Sequence, residues 1–136
     1  MAKMVLTAQF ITINANNLAA FCSQAEVEAE VDDVDVTVFT SLGWRERIGG
    51  LKDAELSLEF FNDFDAGALD SIMWPLLGTV VPFEVRATQA ARSASNPAYT
   101  GSALVRTWTP LQGSVGDAAT ASVAFPTSGQ VQRLVA

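Results

Sequence analysis

Glu26-Val27-Glu28-Ala29-Glu30-Val31 is the clearest periodic stretch in the chain. Apolar and acidic residues alternate strictly, so Val27, Ala29 and Val31 share one wall of a strand and Glu26, Glu28 and Glu30 the other. One wall suits a core and the other suits water or a partner. The design returns at Ala54-Glu55-Leu56-Ser57-Leu58-Glu59-Phe60-Phe61. There Leu56, Leu58 and Phe60 are expected to face in, and Glu55, Ser57 and Glu59 to face out. Period two in both places selects half-buried antiparallel strands.

Working outward, Val34, Val36 and Val38 continue in strand chemistry after Asp32-Asp33. Residues 9–14 read as a first strand, followed by a turn at Asn14-Ala15-Asn16-Asn17. Residues 79–88 read as another, with Phe83, Val85 and Ala87 opposite Glu84, Arg86 and Thr88. Residues 89–98 are an exposed loop. Three strand segments follow, punctuated by Gly113-Ser114-Val115-Gly116-Asp117 and by Gly129. Residues 40–53 hold three glycines and no clean period, which predicts a long loop, and loops of that length are usually functional or mobile. A single helix is expected at about residues 66–77. Asp65 is placed to cap it, Leu69, Ile72, Met73 and Leu76 form its apolar stripe, and Pro75 and Gly78 end it. Seven or eight strands with one helix predict a mainly β, two-sheet antiparallel sandwich or flattened barrel with that helix on one flank. No repeat or linker divides the chain, so residues 1–136 read as one domain.

The composition excludes several function classes. Of 136 residues, 49% are hydrophobic and 17% charged, a globular balance. Fifteen acids against eight bases give a net charge of −7, and thirteen of the acids lie between Glu26 and Asp70. A groove that grips nucleic acid needs clustered Lys and Arg, and here only Arg45 and Arg47 are close. The single cysteine, Cys22, allows no intrachain disulfide and reads as a small buried apolar residue, which favours an intracellular birthplace. The N-terminus lacks an apolar run suited to export, and no stretch suits a membrane span. Synthesis in the cytoplasm with no membrane partner is therefore expected.

Reactive chemistry is equally sparse. There is no histidine, which removes the commonest general base and any Ser-His-Asp arrangement. Gly113-Ser114-Val115-Gly116 lacks the length and lysine of a phosphate loop. Asp63, Asp65 and Asp70 fail calcium-loop spacing, with Gly67 at a ligand position and Trp74 at the twelfth. Glu26, Glu28, Glu30, Glu55 and Glu59 could pair as hydrolytic carboxylates, but alternation alone explains them as a solvated sheet face. No catalytic residue, metal or cofactor is expected. Trp44 with Arg45 and Arg47 could stack on bases or anchor a protein contact, and the negative overall charge favours the protein.

Longer landmarks resemble a known family. They are Gly43-Trp44-Arg45-Glu46, Gly50-Leu51-Lys52-Asp53 and Phe60-Phe61-Asn62-Asp63, then Trp74-Pro-Leu-Leu-Gly78-Thr79 and Asn96-Pro-Ala-Tyr-Thr-Gly101. Pro110-Leu-Gln-Gly113-Ser-Val-Gly116 and Phe125-Pro126-Thr-Ser-Gly129 complete the set. In this order and spacing, over roughly residues 40–133, they resemble the major tail tube proteins of long-tailed bacteriophages, most like the short single-domain siphophage forms. The resemblance implies the fold shared with the tubes of contractile tails and type VI secretion. It also implies six subunits closing a ring, rings stacking into a hollow tube that conducts DNA, and no catalytic residues.

On that footing the virion tail is the expected location. The expected partners are further copies of the chain, the tail-tip, tape-measure and tail-terminator proteins, and double-stranded DNA sliding through without specific binding. The 40–53 loop, through Trp44, Arg45, Glu46, Arg47, Leu51 and Lys52, is the expected inter-subunit contact, mobile until assembled. Glu26, Glu28, Glu30, Glu55 and Glu59 are expected to line the lumen, because a negative wall does not hold phosphates. The alternatives are a contractile-tail or secretion tube, a small β-sandwich module binding a carbohydrate or peptide at its loops, and a small paired-acid hydrolase.

Overall fold

A computed structural model describes residues 3–136. Met1 and Ala2, part of the opening segment read above for an export signal, lie outside the described residues. Eight strands are present: β1 Phe10–Ile13, β2 Asn16–Asn17, β3 Cys22–Asp35, β4 Arg47–Phe61, β5 Val80–Arg86, β6 Ala98–Leu104, β7 Thr120–Pro126 and β8 Gln132–Leu134. They form two antiparallel sheets, one ordered β2-β1-β5-β6-β8 and the other β3-β4-β7. The expected two-sheet sandwich is what forms, and the sheets do not close into a barrel. At one side the chain passes between them, where Thr127 bridges Ala103 and Ser128 N–H donates to Ser102 O at 2.8 Å.

The core follows from the alternation. Ile11, Ile13, Val81, Phe83 and Val85 from the larger sheet meet Leu56, Leu58, Phe60, Ala121, Val123 and Phe125 from the smaller, all buried. On the reverse of the larger sheet, Glu84 lies between two arginines. It accepts a hydrogen bond from Arg92, and Arg86 Nε lies 3.2 Å from its Oε2 without hydrogen-bond alignment. The Arg86 guanidinium also stacks 3.8 Å from the Phe10 ring centroid. The 89–98 segment folds over this side, held by buried Asn96, whose amide donates to Ala90 O at 2.9 Å and accepts from Thr88 N–H at 3.2 Å.

Three sequence expectations need correction. The helix is shorter than 66–77: α1 spans Leu69–Met73 and passes into a 3-10 turn at Trp74–Leu76, where Pro75 forbids the continuing backbone bond. Asp65 does not cap it. Ala68 stands at the N-cap without a side-chain bond, and Asp65 N–H is instead held by the Asp63 carboxylate at 3.0 Å. The stripe still works, since Leu69 and Met73 are fully buried. Trp108 closes this end of the core, its ring centroid 6.1 Å from that of Phe60 and its Nε1–H donating to Asp70 Oδ1 at 3.0 Å.

The second correction concerns the 40–53 loop. Residues 47–53 are strand, paired with β3 down to Asp35–Arg47, so the irregular part is only the turn before Arg47. The third concerns Ala29 and Val31: their alternation predicts a core-facing wall, and both are exposed. Cys22 is only half-buried, at the start of β3, where its thiol donates to Gln24 O at 3.0 Å. Burial pushes that thiol's pKa up, against smaller opposing effects of hydrogen bonds at Gln24 and Glu59.

Candidate functional site: an acidic sheet face and a projecting arm

β3 and β4 are fourteen and fifteen residues long, but β7 pairs with β4 only from Glu55 to Phe61. Beyond that point the two strands run on alone as a ribbon. From Glu28 to Asp53 every residue is exposed except Ser41. Eight residues of strand beyond Val27 reach about 27 Å at the usual rise. A two-stranded ribbon with neither face covered is marginal in water.

The tip of this arm is nevertheless well built. Ser41 N–H donates to Val38 O at 3.0 Å, Trp44 N–H to Ser41 O at 3.1 Å, and Val38 N–H to Ser41 Oγ at 3.2 Å. Leu42 and Gly43 both adopt positive φ, 56° and 85°, which reverses the chain. Asp35 anchors the base of the turn, accepting from Thr37 N–H at 2.9 Å and from Arg45 Nη1 at 3.0 Å. Its carboxyl is held below the usual range by the Thr37 side chain first, then the Thr37 backbone, then Arg45. Internal bonding leaves the apolar side chains outside: Phe39 is fully exposed, Leu42 is 85% exposed and Trp44 79%.

A bulge re-aims the arm. Val31 pairs with Lys52 and Asp33 with Gly49, so Gly50 and Leu51 stand opposite Asp32 alone. On the core-side face beyond the bulge lie Asp33, Asp35 and Arg47, with Arg47 Nε 2.9 Å from Asp33 Oδ2. Val34 and Ile48 pair on the opposite face. The apolar side of the ribbon therefore changes face at Asp32-Asp33, because one shifted residue flips every later side chain. Gly50 makes this tight: a Cβ there would lie 3.0 Å from Val34 Cγ2 and 3.1 Å from Asp32 Cβ.

The acidic rows come together on one surface. Register places Glu26 opposite Ser57, Glu28 opposite Glu55, Glu30 opposite Asp53 and Glu59 opposite Gln24. All five predicted acids thus share the outer face of the three-stranded sheet, and Asp53 joins them, which sequence reading missed. Like charges directly opposite one another destabilise a sheet, so this arrangement is not there for the subunit's own stability. Neither long edge of this sheet is paired among the described residues: β3 is open on one side and β7 on the other. Since both run antiparallel to β4, the two open edges run parallel to each other.

The predicted contact residues Trp44, Arg45, Glu46, Arg47, Leu51 and Lys52 all fall on the arm and all are exposed. Phe39, Leu42 and Ile48 belong with them. Sequence reading missed these three, although the uncharged run from Val36 to Trp44 could have pointed to Phe39 and Leu42. Among the described residues, no group of His, Cys, Asp and Glu is placed to hold a metal ion. Nor, among the described residues, is any helix long and apolar enough to cross a membrane.

The sequence model of the phage tail tube protein family matches residues 8–133. The chain belongs to that family. It is a tail tube structural subunit and a virion tail component of the phage type. Two solved structures share the tail tube fold. A chain in the virion of a native gene transfer agent particle has a TM-score of 0.72 and 21% identity, over 92% of this chain and 94% of that one. A chain in the tail of an empty gene transfer agent particle, refined with C6 symmetry, has a TM-score of 0.66 and 19% identity, over 83% and 81%. Comparison with curated proteins gives no match.

Proposed function

We propose that this tail tube protein closes six-membered rings through the open edges of its three-stranded sheet. The rings stack through the arm into a hollow tube, and double-stranded DNA passes through its lumen during ejection. The observation that carries the reading is the coincidence of three features on one sheet: two open edges, an acidic outer face and a ribbon that outruns its support. An unpaired edge is a template for another strand, and a neighbour's edge satisfies it. β7 of one subunit beside β3 of the next is a parallel junction. Six three-stranded sheets joined this way make an eighteen-stranded wall. The C6 symmetry of the gene transfer agent tail supports that number.

With the sheets so joined, Glu26, Glu28, Glu30, Glu55 and Glu59 face the lumen as a repeated carboxylate lining. Phosphates passing it meet no cation to release counterions against, so the genome is not held. Screening over about 10 Å confines the effect to the wall. Trp44, Arg45, Glu46, Arg47, Leu51 and Lys52 act on the arm as the axial contact. Tail-tip, tape-measure and terminator proteins are the further partners, and synthesis and assembly take place in the bacterial host cytoplasm.

The test is a double charge reversal, Glu55→Lys with Glu59→Lys, in assembled particles. With the row inside, tubes form and genome release slows, because phosphates now find an ammonium lining. Unchanged release from tubes that carry both lysines contradicts the lumen assignment.

A further inference from the structure

We propose that the arm of one subunit seats on the helix end of a second copy in the adjacent ring, covering Phe61, Phe64, Trp74 and Leu77. This rests on the reading that the arm is the axial contact and names its receiving surface.

The arm and Phe61 lie at opposite ends of one strand. β4 starts at Arg47 in the arm and ends at Phe61, about 50 Å away at the usual rise. Phe61 opens the receiving pole. Phe64 follows in the turn before α1, and Trp74 and Leu77 follow α1 itself. Asp70 N–H bonds Asp63 O at 3.2 Å, which ties α1 to the end of β4, and Gly78 N–H bonds Val105 O at 2.7 Å, which ties the turn after α1 to the larger sheet. Despite that fastening, Phe61, Phe64 and Trp74 are each more than half exposed and Leu77 is 41% exposed. Large apolar side chains left exposed along one such segment mark an interaction surface.

An open-ended stack needs a donor surface at one end and a different acceptor surface at the other. Here a shift along the strand direction carries the arm of one copy onto the helix end of the next. The chemistry of the two matches. The arm is uncharged from Val36 to Trp44, and behind that tip lie Arg45 and Arg47, the chain's one close pair of arginines. Asp63 and Asp65 stand in the turn before α1. The arginines' present partners, Asp35 and Asp33, are themselves solvent-exposed, so exchanging them for a neighbour's carboxylates costs little.

The flip at Asp32-Asp33 points to the same occupant. It places Val34 and Ile48 on the side of the ribbon that bears the acidic rows. In the proposed ring that side looks toward the lumen, where an apolar face would meet water. A neighbouring subunit lying against it removes that exposure.

Two variants test this. One blocks the arm, Phe39→Ser with Trp44→Ser, and the other blocks the helix end, Phe64→Ser with Trp74→Ser. Thermal unfolding of each subunit, with Leu77→Ser as a milder second helix-end variant, confirms that the sites are blocked in folded protein. Each variant alone is expected to give no tubes by electron microscopy. An equimolar mixture is expected to give short stacks that end after one arm-to-helix junction, because each partner supplies the surface the other lacks. Normal tubes from both folded helix-end variants would overturn this docking site and leave the arm as an axial contact elsewhere. Normal tubes from the arm variant would instead overturn the axial reading on which it rests.

Discussion

The two halves of β4 both carry large aliphatic side chains, which meet opposite fates. In Ala54–Phe61, Leu56, Leu58 and Phe60 are almost wholly buried. In Arg47–Asp53, Ile48 and Leu51 are 57% and 81% exposed. For these aliphatic side chains the difference is one of what surrounds them. β7 flanks the first half and the larger sheet covers it, while the second half has only β3 beside it. Burying a large aliphatic side chain is worth about 1.5–3 kcal/mol. The supported half contributes that to folding of the single subunit. The unsupported half can contribute it only when another chain arrives.

The largest test of this contrast is truncation at each end of the strand system. Phe60→Ala should cost about 3–5 kcal/mol of subunit stability in denaturant unfolding, since it empties a packed site beside Trp108. Leu51→Ala should stay within about 0.5 kcal/mol of the parent, and Trp44→Ala likewise, while both reduce tube formation. A large stability loss from either arm variant would show that the arm is part of the subunit's own core.

The next effect in size lies at the helix end. Asp70→Ala leaves the buried Trp108 Nε1–H without its acceptor, and an orphaned buried donor costs about 1–3 kcal/mol. Unfolding experiments on Asp70→Ala and Asp70→Asn should show the first clearly destabilised and the second partly rescued. Equal effects would mean that this bond does not hold the end closed.

The sandwich was legible because its strands alternate. Leu56, Leu58 and Phe60, Phe83 and Val85, and Val123 and Phe125 state their own inward faces. The arm was only half legible. Gly49-Gly50 and the bulge interrupt the period of two, so strand residues 47–53 read as loop. Alternation also gives a strand two walls without saying whether anything covers either, and Ala29 and Val31 were assigned a core they do not have. The gathering of both glutamate rows on one face depends on register between distant segments, which no local pattern encodes. Asp65 failed as a cap for a local reason: positive φ at Gly67 turns the chain before the helix begins, leaving Ala68 at the cap.

Two smaller effects sharpen the account of the arm. Gly50→Ala puts a methyl group against Val34 and Asp32. It should leave core stability within about 0.5 kcal/mol, as expected away from the core, and lower tube yield by disturbing the bulge; unchanged assembly would show that the bulge geometry is not used. The Asp35 carboxyl is held below the usual range in the folded arm. Its stabilisation of the turn is therefore complete above the unfolded value and is lost as pH falls through the folded one. Hydrogen exchange at Thr37 N–H should lose protection across that acid range relative to a core amide, after correction for the intrinsic pH dependence of exchange. Asp35→Asn should remove the pH-dependent part. A turn equally protected on both sides of the range would show that the carboxylate is not its anchor.

The most direct measurement is a helical reconstruction of assembled tubes by electron cryomicroscopy, read for the radial position of Glu55 and Glu59. Both carboxylates are expected at the smallest radius, on a wall continued from β7 of one subunit to β3 of the next. Finding them on the outer surface, with the β2-β1-β5-β6-β8 sheet around the lumen, would contradict that placement.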